Sequence, residues 1–284
     1  MTPHTITRED LPDLAKRTGH KFDHGHVLVL SGGPGRTGAA RLAARAALRV
    51  GAGLVTLGVS PSAQLEVSMQ VTAVMLHRLK GAGDLAALLE DKRLNALCAG
   101  PGLGLDRHAA DLVHTVLDSG RACVLDADAL TLLSRDPALR TRLHDRCVLT
   151  PHGGEFARLF PDIAAACGDN PAVGPKVTAT RDAAARIGAV VLFKGVDTVI
   201  ASPDGECAVH SAREERAAPW LATAGAGDVL AGIIGGLLAR GFGPAEAAKA
   251  ATWLHVSCAI NFGPGLIAED LPDALPAVLR DLAP

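Results

Sequence analysis

Gly225, Ala226 and Gly227 lead straight into Asp228, the only carboxylate in the run 222–241, and no polar side chain follows Asp228 until Arg240. Glycines let backbone N–H groups converge on an anion, a helix N-terminus adds partial positive charge, and a carboxylate beside them can take a proton from a hydroxyl. The chemistry on offer is proton abstraction next to a cradled anion. The same residues also describe a glycine-rich turn capping a core helix, with Asp228 as a plain N-terminal charge. Val229, Leu230, Ile233, Ile234, Leu237 and Leu238 recur at helical spacing, which predicts a deeply buried helix. Gly232, Gly235 and Gly236 each disfavour that helix by about 1 kcal/mol relative to Ala, so close packing must offset them.

Other polar residues fall where apolar runs end. Asp126 and Asp128, in DADAL, could hold a magnesium-bound phosphate or a polar substrate, or cap the next helix, the role favoured for Asp128. His152 and Glu155 lie in TPHGGEFARL, a glycine-rich strand-to-helix turn. Lys194 ends the run AVVLFKG and reads either as a phosphate contact or as a solvated edge lysine. His20, His24 and His26 have no established ligand spacing, and a surface or substrate-rim loop is favoured over a metal site.

The elements that must position these residues alternate along the chain. Val27–Leu30 reads as a strand buried on both faces, followed by a glycine loop, a helix carrying Arg41, Arg45 and Arg49, and a second strand at Leu54–Val59. This unit sets the class as α/β with an open, mostly parallel sheet. Further strands are expected at 71–76, 96–99, 122–125, 147–149 and 189–195, with a hairpin around SPDG. Helices are expected near 84–92, 106–119, 176–187 and 244–263, and LPDALPAVLRDL reads as a terminal surface helix. Residues 7–25 read as a short helix, capped by Thr7, and a loop; residues 161–175 read as an internal linker. Gly33, Gly35 and Gly38 match GxGxxG, yet the following strand ends in Ser60, Pro61 and Ser62 rather than in a ribose-binding acid, and the first acid is Glu66. A Walker loop fails because Ala39 and Ala40 stand where Lys and Ser/Thr are needed.

Composition narrows the partners. A net charge of -2 supplies no basic excess for nucleic acid or an anionic membrane, so a small molecule is the expected ligand. The six cysteines show no CxxC and no paired His/Cys spacing for zinc; they read as buried or incidental thiols in a reducing compartment. The N-terminal residues lack the apolar core of a signal peptide and no run reads as a membrane span, so the expected location is cytoplasmic.

GAGLVTLG, GPGLG, DADAL, LTPHGGEFARL, LFKGVDT and TAGAGDVLAGIIGGLLARG occur in that order between residues 51 and 241. With this set the chain, from about residue 20 to residue 262, resembles the ADP- or ATP-dependent NAD(P)H-hydrate dehydratases, a branch of the ribokinase-like superfamily. The resemblance implies one ribokinase-like domain over residues 1–284, its central mostly parallel sheet flanked by helices on both faces. It implies repair of (6S)-hydrated NADH or NADPH, with ADP or ATP as co-substrate and magnesium. By matching motif positions, Ala40, Gly102, His152 and Asp228 would contact the hydrated dinucleotide, and Asp228 would be the catalytic base. Lys194, Gly195, Val196, Asp197 and Thr198, with Gly225, Ala226 and Gly227, would hold the nucleotide and the transferring phosphoryl group. No residue is assigned to the metal. AAPWLATAG stands where the family has an Asn-Pro-Gly-like approach, and Gly153 where a Pro is common; both bear on nucleotide affinity and loop geometry. The resemblance also implies a homo-oligomer, and an epimerase as a fused domain or a separate chain. The rivals are a ribokinase-like vitamin-precursor kinase, which explains GAGD but not TPHGGE and DADAL as well, an adenine-nucleotide sensor without turnover, and, more distantly, a Rossmann oxidoreductase.

Overall fold

The strands of this chain are short apolar runs with both faces covered, and their alternate residues feed two separate cores. A computed structural model describes residues 3–17, 19–168 and 171–282. Its strands are β1 (His4–Thr5), β2 (His26–Leu30), β3 (Leu54–Val59), β4 (Met75–Arg78), β5 (Ala96–Ala99), β6 (Ala122–Leu125), β7 (Cys147–Leu149), β8 (Val190–Phe193), β9 (Asp197–Ala201) and β10 (Cys207–Ser211). They make a ten-stranded sheet in the order β1-β10-β9-β8-β7-β6-β5-β2-β3-β4, parallel throughout except that β9 runs antiparallel to both neighbours. The helices are α1 (Gly38–Arg49), α2 (Gln64–Ser68), α3 (Ala82–Leu88), α4 (Arg107–Asp118), α5 (Asp128–Arg135), α6 (Pro137–Arg140), α7 (Gly153–Leu159), α8 (Pro161–Cys167), α9 (Val173–Ile187), α10 (Ala226–Ala239), α11 (Pro244–Phe262) and α12 (Asp270–Leu282). Val27 and Val29 of β2 join the core built with α1, α10, α11 and α12, whereas Leu28 and Leu30 join the core built with α4, α5, α7 and α9. That alternation is the period-two pleat of a strand sandwiched between helix layers. The α/β architecture read from the sequence, a mostly parallel central sheet with helices on both faces, is the one observed.

The glycines of α10 are where the packing is tightest. A Cβ on Gly232 would lie 2.1 Å from the Ala43 carbonyl oxygen of α1, and one on Gly236 would lie 2.5 Å from Val50 Cγ1. Both positions let α1 and α10 approach backbone to backbone, which is the compensation their low helix propensity requires. Arg45 and Arg49 of α1 reach Asp273 of α12 at 2.6 and 3.2 Å.

Several expectations need correction. His26 is not on a rim: it begins β2 with 8% exposure, its Nε2 lies 2.8 Å from Thr56 Oγ1, and burial pushes its pKa down to about 4. The stretch 161–175 is not a linker, because Pro161 opens α8 in the first-turn position proline tolerates and α9 begins at Val173; residues 169 and 170 lie outside the described residues. The terminal helix is no mere surface element, since Leu271 and Leu275 of α12 are fully buried. The strand expected at 71–76 forms later, as β4, and Thr7 opens a 3-10 turn, Arg8–Asp10, rather than an α-helix. The cysteines are free thiols. Cys123 and Cys147, however, are neighbours in register on β6 and β7, a juxtaposition their sequence spacing conceals. Among the described residues no helix is long and apolar enough to cross a membrane.

Candidate active site

Chain direction brings the ends of β5, β6, β7 and β8 to one edge of the sheet, and α10 begins at the same edge. Strand order reverses between β2 and β5, which is where open α/β sheets form their ligand crevice. The loops after these two strands touch: a Cβ on Gly32 would sit 1.9 Å from the Gly102 carbonyl, and one on Gly102, at φ +64°, would sit 2.6 Å from the Arg36 carbonyl. The GxGxxG loop itself is no pyrophosphate cradle. The Gly35 N–H donates to Glu66 Oε2 at 2.8 Å and the Thr37 hydroxyl to Glu66 Oε1, so a carboxylate already holds that turn.

Asp126 directly follows β6 with 2% exposure and accepts a hydrogen bond from Lys194 Nζ at 2.7 Å. Glu155 Oε2 lies 3.9 Å from the same ammonium. Burial works against the charge on Lys194, but Asp126, then Glu155 and Asp228, outweigh it and raise the pKa, so the lysine stays protonated. Asp228, in the first turn of α10, shows the opposite balance. Burial is the largest influence and the Asp126 charge the next; together they overcome Lys194 and push its carboxyl up to about 6. A carboxylate with that affinity is ionised at neutral pH and still a competent proton acceptor. Gly225, at φ +90°, turns the chain into α10, whose first-turn amides have no preceding helical carbonyl to bond. Gly227 lies against the ion pair, where a Cβ would stand 3.3 Å from Lys194 Nζ.

The expected cap at Asp128 is not one. Asp128 is the first residue of α5 and its Oδ2 accepts the Gly104 N–H at 2.8 Å, tying DADAL to GPGLG. Ala127 between the two aspartates has φ 48°, a left-handed conformation that strains a residue with a Cβ by about 1–3 kcal/mol and turns the two carboxylates to different partners. His152 caps α7: its Nδ1 accepts the Gly154 N–H at 3.0 Å, and its own N–H donates to Glu155 Oε2 at 2.8 Å. Ala40 is fully buried in α1.

Lys194, Gly195, Val196, Thr198, Ala226 and Gly227 line a mostly apolar cavity of about 500 Å³ between the β8–β10 strands, α10 and α11. Six predicted nucleotide residues thus meet around one space. Gly225 and Asp197 are not in its lining; the Asp197 carboxylate is held by Arg213 Nη2 at 2.9 Å. His210 and His255 also line the cavity, burial keeps both neutral with pKa values down to about 4, and each leaves a ring nitrogen without a partner that a ligand's polar edge can satisfy. The sequence reading missed both. It also missed Lys176, 6% exposed, whose Nζ donates to the carbonyls of Lys194 and Asp197 at 2.9 and 2.7 Å and sits 4.1 Å from the centre of the Phe193 ring. Its one signal is a lysine on the face of α9 that otherwise carries Val177, Thr180, Ala183 and Ala184.

A family model described as NAD(P)H-hydrate dehydratase matches residues 27–276, which takes in every element of this site. The chain belongs to the NAD(P)H-hydrate dehydratase family. It is 39% identical over 97% of its length to the bifunctional NAD(P)H-hydrate repair enzyme Nnr of Moorella thermoacetica, covering 53% of that protein. The chain therefore spans about half the length of that relative. It is 37% identical to the ADP-dependent (S)-NAD(P)H-hydrate dehydratase of Neisseria meningitidis, with 90% of this chain and 85% of that one covered. Among solved structures, the ADP/ATP-dependent NAD(P)H-hydrate dehydratase of Bacillus subtilis, co-crystallised with ATP and Mg2+, superposes at a TM-score of 0.82 with 29% identity over the whole of both chains. The matched residues include both the lining of the 500 Å³ cavity and Asp228.

Proposed function

We propose that this chain works as one domain over residues 1–284 and dehydrates (6S)-hydrated NADH or NADPH at the expense of ADP or ATP. The observation that carries the reading is Asp228, a half-buried carboxylate with its pKa raised to about 6, at a helix N-terminus whose next residues back, Gly227 and Ala226, line the 500 Å³ cavity. The hydroxyl on the hydrated ring gives its proton to Asp228 as its oxygen attacks the terminal phosphorus, releasing AMP or ADP. Phosphate then departs with the carbon–oxygen bonding electrons, and loss of a proton from the neighbouring ring carbon restores the double bond. Hydroxide is a poor leaving group and phosphate a good one, so the nucleotide supplies what direct elimination lacks. The first-turn amides of α10 and the Lys194 ammonium oppose the charge that builds on the transferring group.

Lys194, Gly195, Val196, Thr198, Ala226 and Gly227 hold the nucleotide in this reading, with Gly225 and Asp197 shaping the turns on either side. Gly102, His152 and Asp228 contact the hydrated dinucleotide; Ala40, fully buried in α1, has no surface to offer it. The Asp126, Asp128 and Glu155 charges all raise the Asp228 pKa; of these carboxylates Asp126 would hold the magnesium that accompanies the nucleotide, leaving Asp228 free to take the proton. When bound, the cation would offset phosphate charge. An epimerase, on a fused domain or a separate chain, would supply the reactive epimer; the double length of the bifunctional relative supports that arrangement. Leu65 and Met69, 73% and 76% exposed at α2, support assembly of copies of this chain. Free thiols support a cytoplasmic location.

Product analysis by phosphorus NMR tests the reading. It predicts inorganic phosphate appearing in step with reduced cofactor. A phosphate ester that persists on the acceptor would overturn it in favour of a small-molecule kinase.

A further inference from the structure

The edge of the sheet opposite the active site holds a second chemical cluster. Cys123 and Cys147 stand side by side near the start of β6 and β7, fully buried, with their Sγ atoms 3.5 Å apart. His144, in the turn that enters β7, completes a group whose three ligand atoms all lie within 4.8 Å of one another. Its Nε2 is buried without a hydrogen-bond partner, its Nδ1 accepts a long contact, 3.3 Å, from the Arg146 N–H, and the ring lies near enough to the Cys147 thiol for that thiol to raise the imidazole's pKa.

Two thiols and an imidazole make a soft donor set with no carboxylate in it, the set that selects zinc-type cations over magnesium. Zinc–sulfur bonds of about 2.3 Å in a tetrahedron place two sulfurs about 3.8 Å apart, whereas a disulfide requires about 2.0 Å. The observed 3.5 Å is close to the metal-site edge. A disulfide would consume both sulfurs and engage His144 no further, while a cation engages all three groups that face one another. Ligation through either nitrogen gives up the long Arg146 contact, a small loss against a coordinate bond. His144 is the one member partly open to solvent, so a cation would enter from its side.

We propose that Cys123, Cys147 and His144 form a binding site for a thiophilic divalent cation of the zinc type, separate from the magnesium–nucleotide site. The cation would staple β6 to β7, the two strands whose far ends lead to Asp126 and His152.

The test uses the full, reduced chain stripped of metal and titrated with Zn2+, and with Co2+ as a spectroscopic stand-in. The result expected is one equivalent bound, a thiolate-to-cobalt charge-transfer band, a higher Tm with zinc, and no displacement by a large excess of Mg2+. His144→Gln, a change in a partly exposed turn, is expected to weaken zinc binding by roughly tenfold or more. Cys147→Ala should abolish the cobalt band, and Cys167→Ser, outside the cluster, should leave it intact. Folded, reduced wild-type protein that gives no thiolate band and no zinc-dependent Tm shift would overturn the proposal, as would zinc binding that His144→Gln leaves unchanged.

Discussion

Asp228 is held in a place that suits its proton chemistry and works against the fold. Its carboxyl ionises near 6 in the folded chain against an ordinary 3.8, burial being the main cause and Asp126 the second. The folded state therefore binds that proton more tightly than the unfolded state does. Stability is lost as pH rises from about 4 to about 6 and stays lower above that window. Asp228→Asn cannot ionise, so thermal melting should show it more stable than wild type by a few degrees at about pH 8 and no more stable at about pH 4. The same change removes the proton acceptor, and turnover should fall by about 10²–10⁴-fold while nucleotide binding survives. In the wild type, the rate of the phosphoryl-transfer step should climb with pH through about 6 and level off above it. Asp228 was legible in the sequence because no other carboxylate stands in its run. Its environment was not: Asp126 and Lys194 are 68 residues apart and meet only when β6 and β8 reach the same edge.

The turn after β8 and the start of α10 carry the next set of expectations. Lys176 pins that turn by donating to two of its carbonyls from a buried position, and burial lowers its pKa to about 8. Lys176→Met keeps the length and loses both bonds, each worth about 1.5–3 kcal/mol when the donor is charged. Steady-state kinetics should then show nucleotide KM raised roughly tenfold or more with kcat much less affected, because the residue positions the binding turn without touching the reacting atoms. In α10, two glycines three residues apart should respond in opposite ways. Gly232→Ala drives a Cβ to 2.1 Å from the Ala43 carbonyl and should cost about 1–3 kcal/mol in denaturant unfolding. Gly235→Ala meets nothing nearer than 3.5 Å, at Val27, and should be neutral or stabilising by up to about 1 kcal/mol. The glycine-rich composition foretold close packing but not which glycine bears it, since that depends on which one faces α1. The helix α8 escaped notice for a related reason: Pro161 looks like a breaker until it is seen to occupy a first-turn position.

At the scale of the whole molecule, the strand order explains why so much of the site could be read in advance. Strands that run parallel deliver their carboxyl ends to one edge, so Asp126, His152 and Lys194, each just beyond an apolar run, were bound to assemble once the alternation of strand and helix was recognised. Features that depend on lateral register had no such signal. Cys123 and Cys147 lie 24 residues apart and become neighbours only through the pairing of β6 with β7. His26 looked like part of an exposed histidine cluster, yet β2 pairs on both sides and buries it. The account as a whole requires one coupling, between an adenine nucleotide in the α10–α11 cavity and loss of water from a hydrated nicotinamide ring beside Asp228. The most direct measurement of that coupling is recovery of the reduced-nicotinamide absorbance when the protein is mixed with hydrated NADH, magnesium and either ADP or ATP. The account predicts recovery that requires the nucleotide and disappears in Asp228→Asn. Folded wild-type protein that gives no recovery with either nucleotide, or recovery that Asp228→Asn leaves untouched, would contradict it.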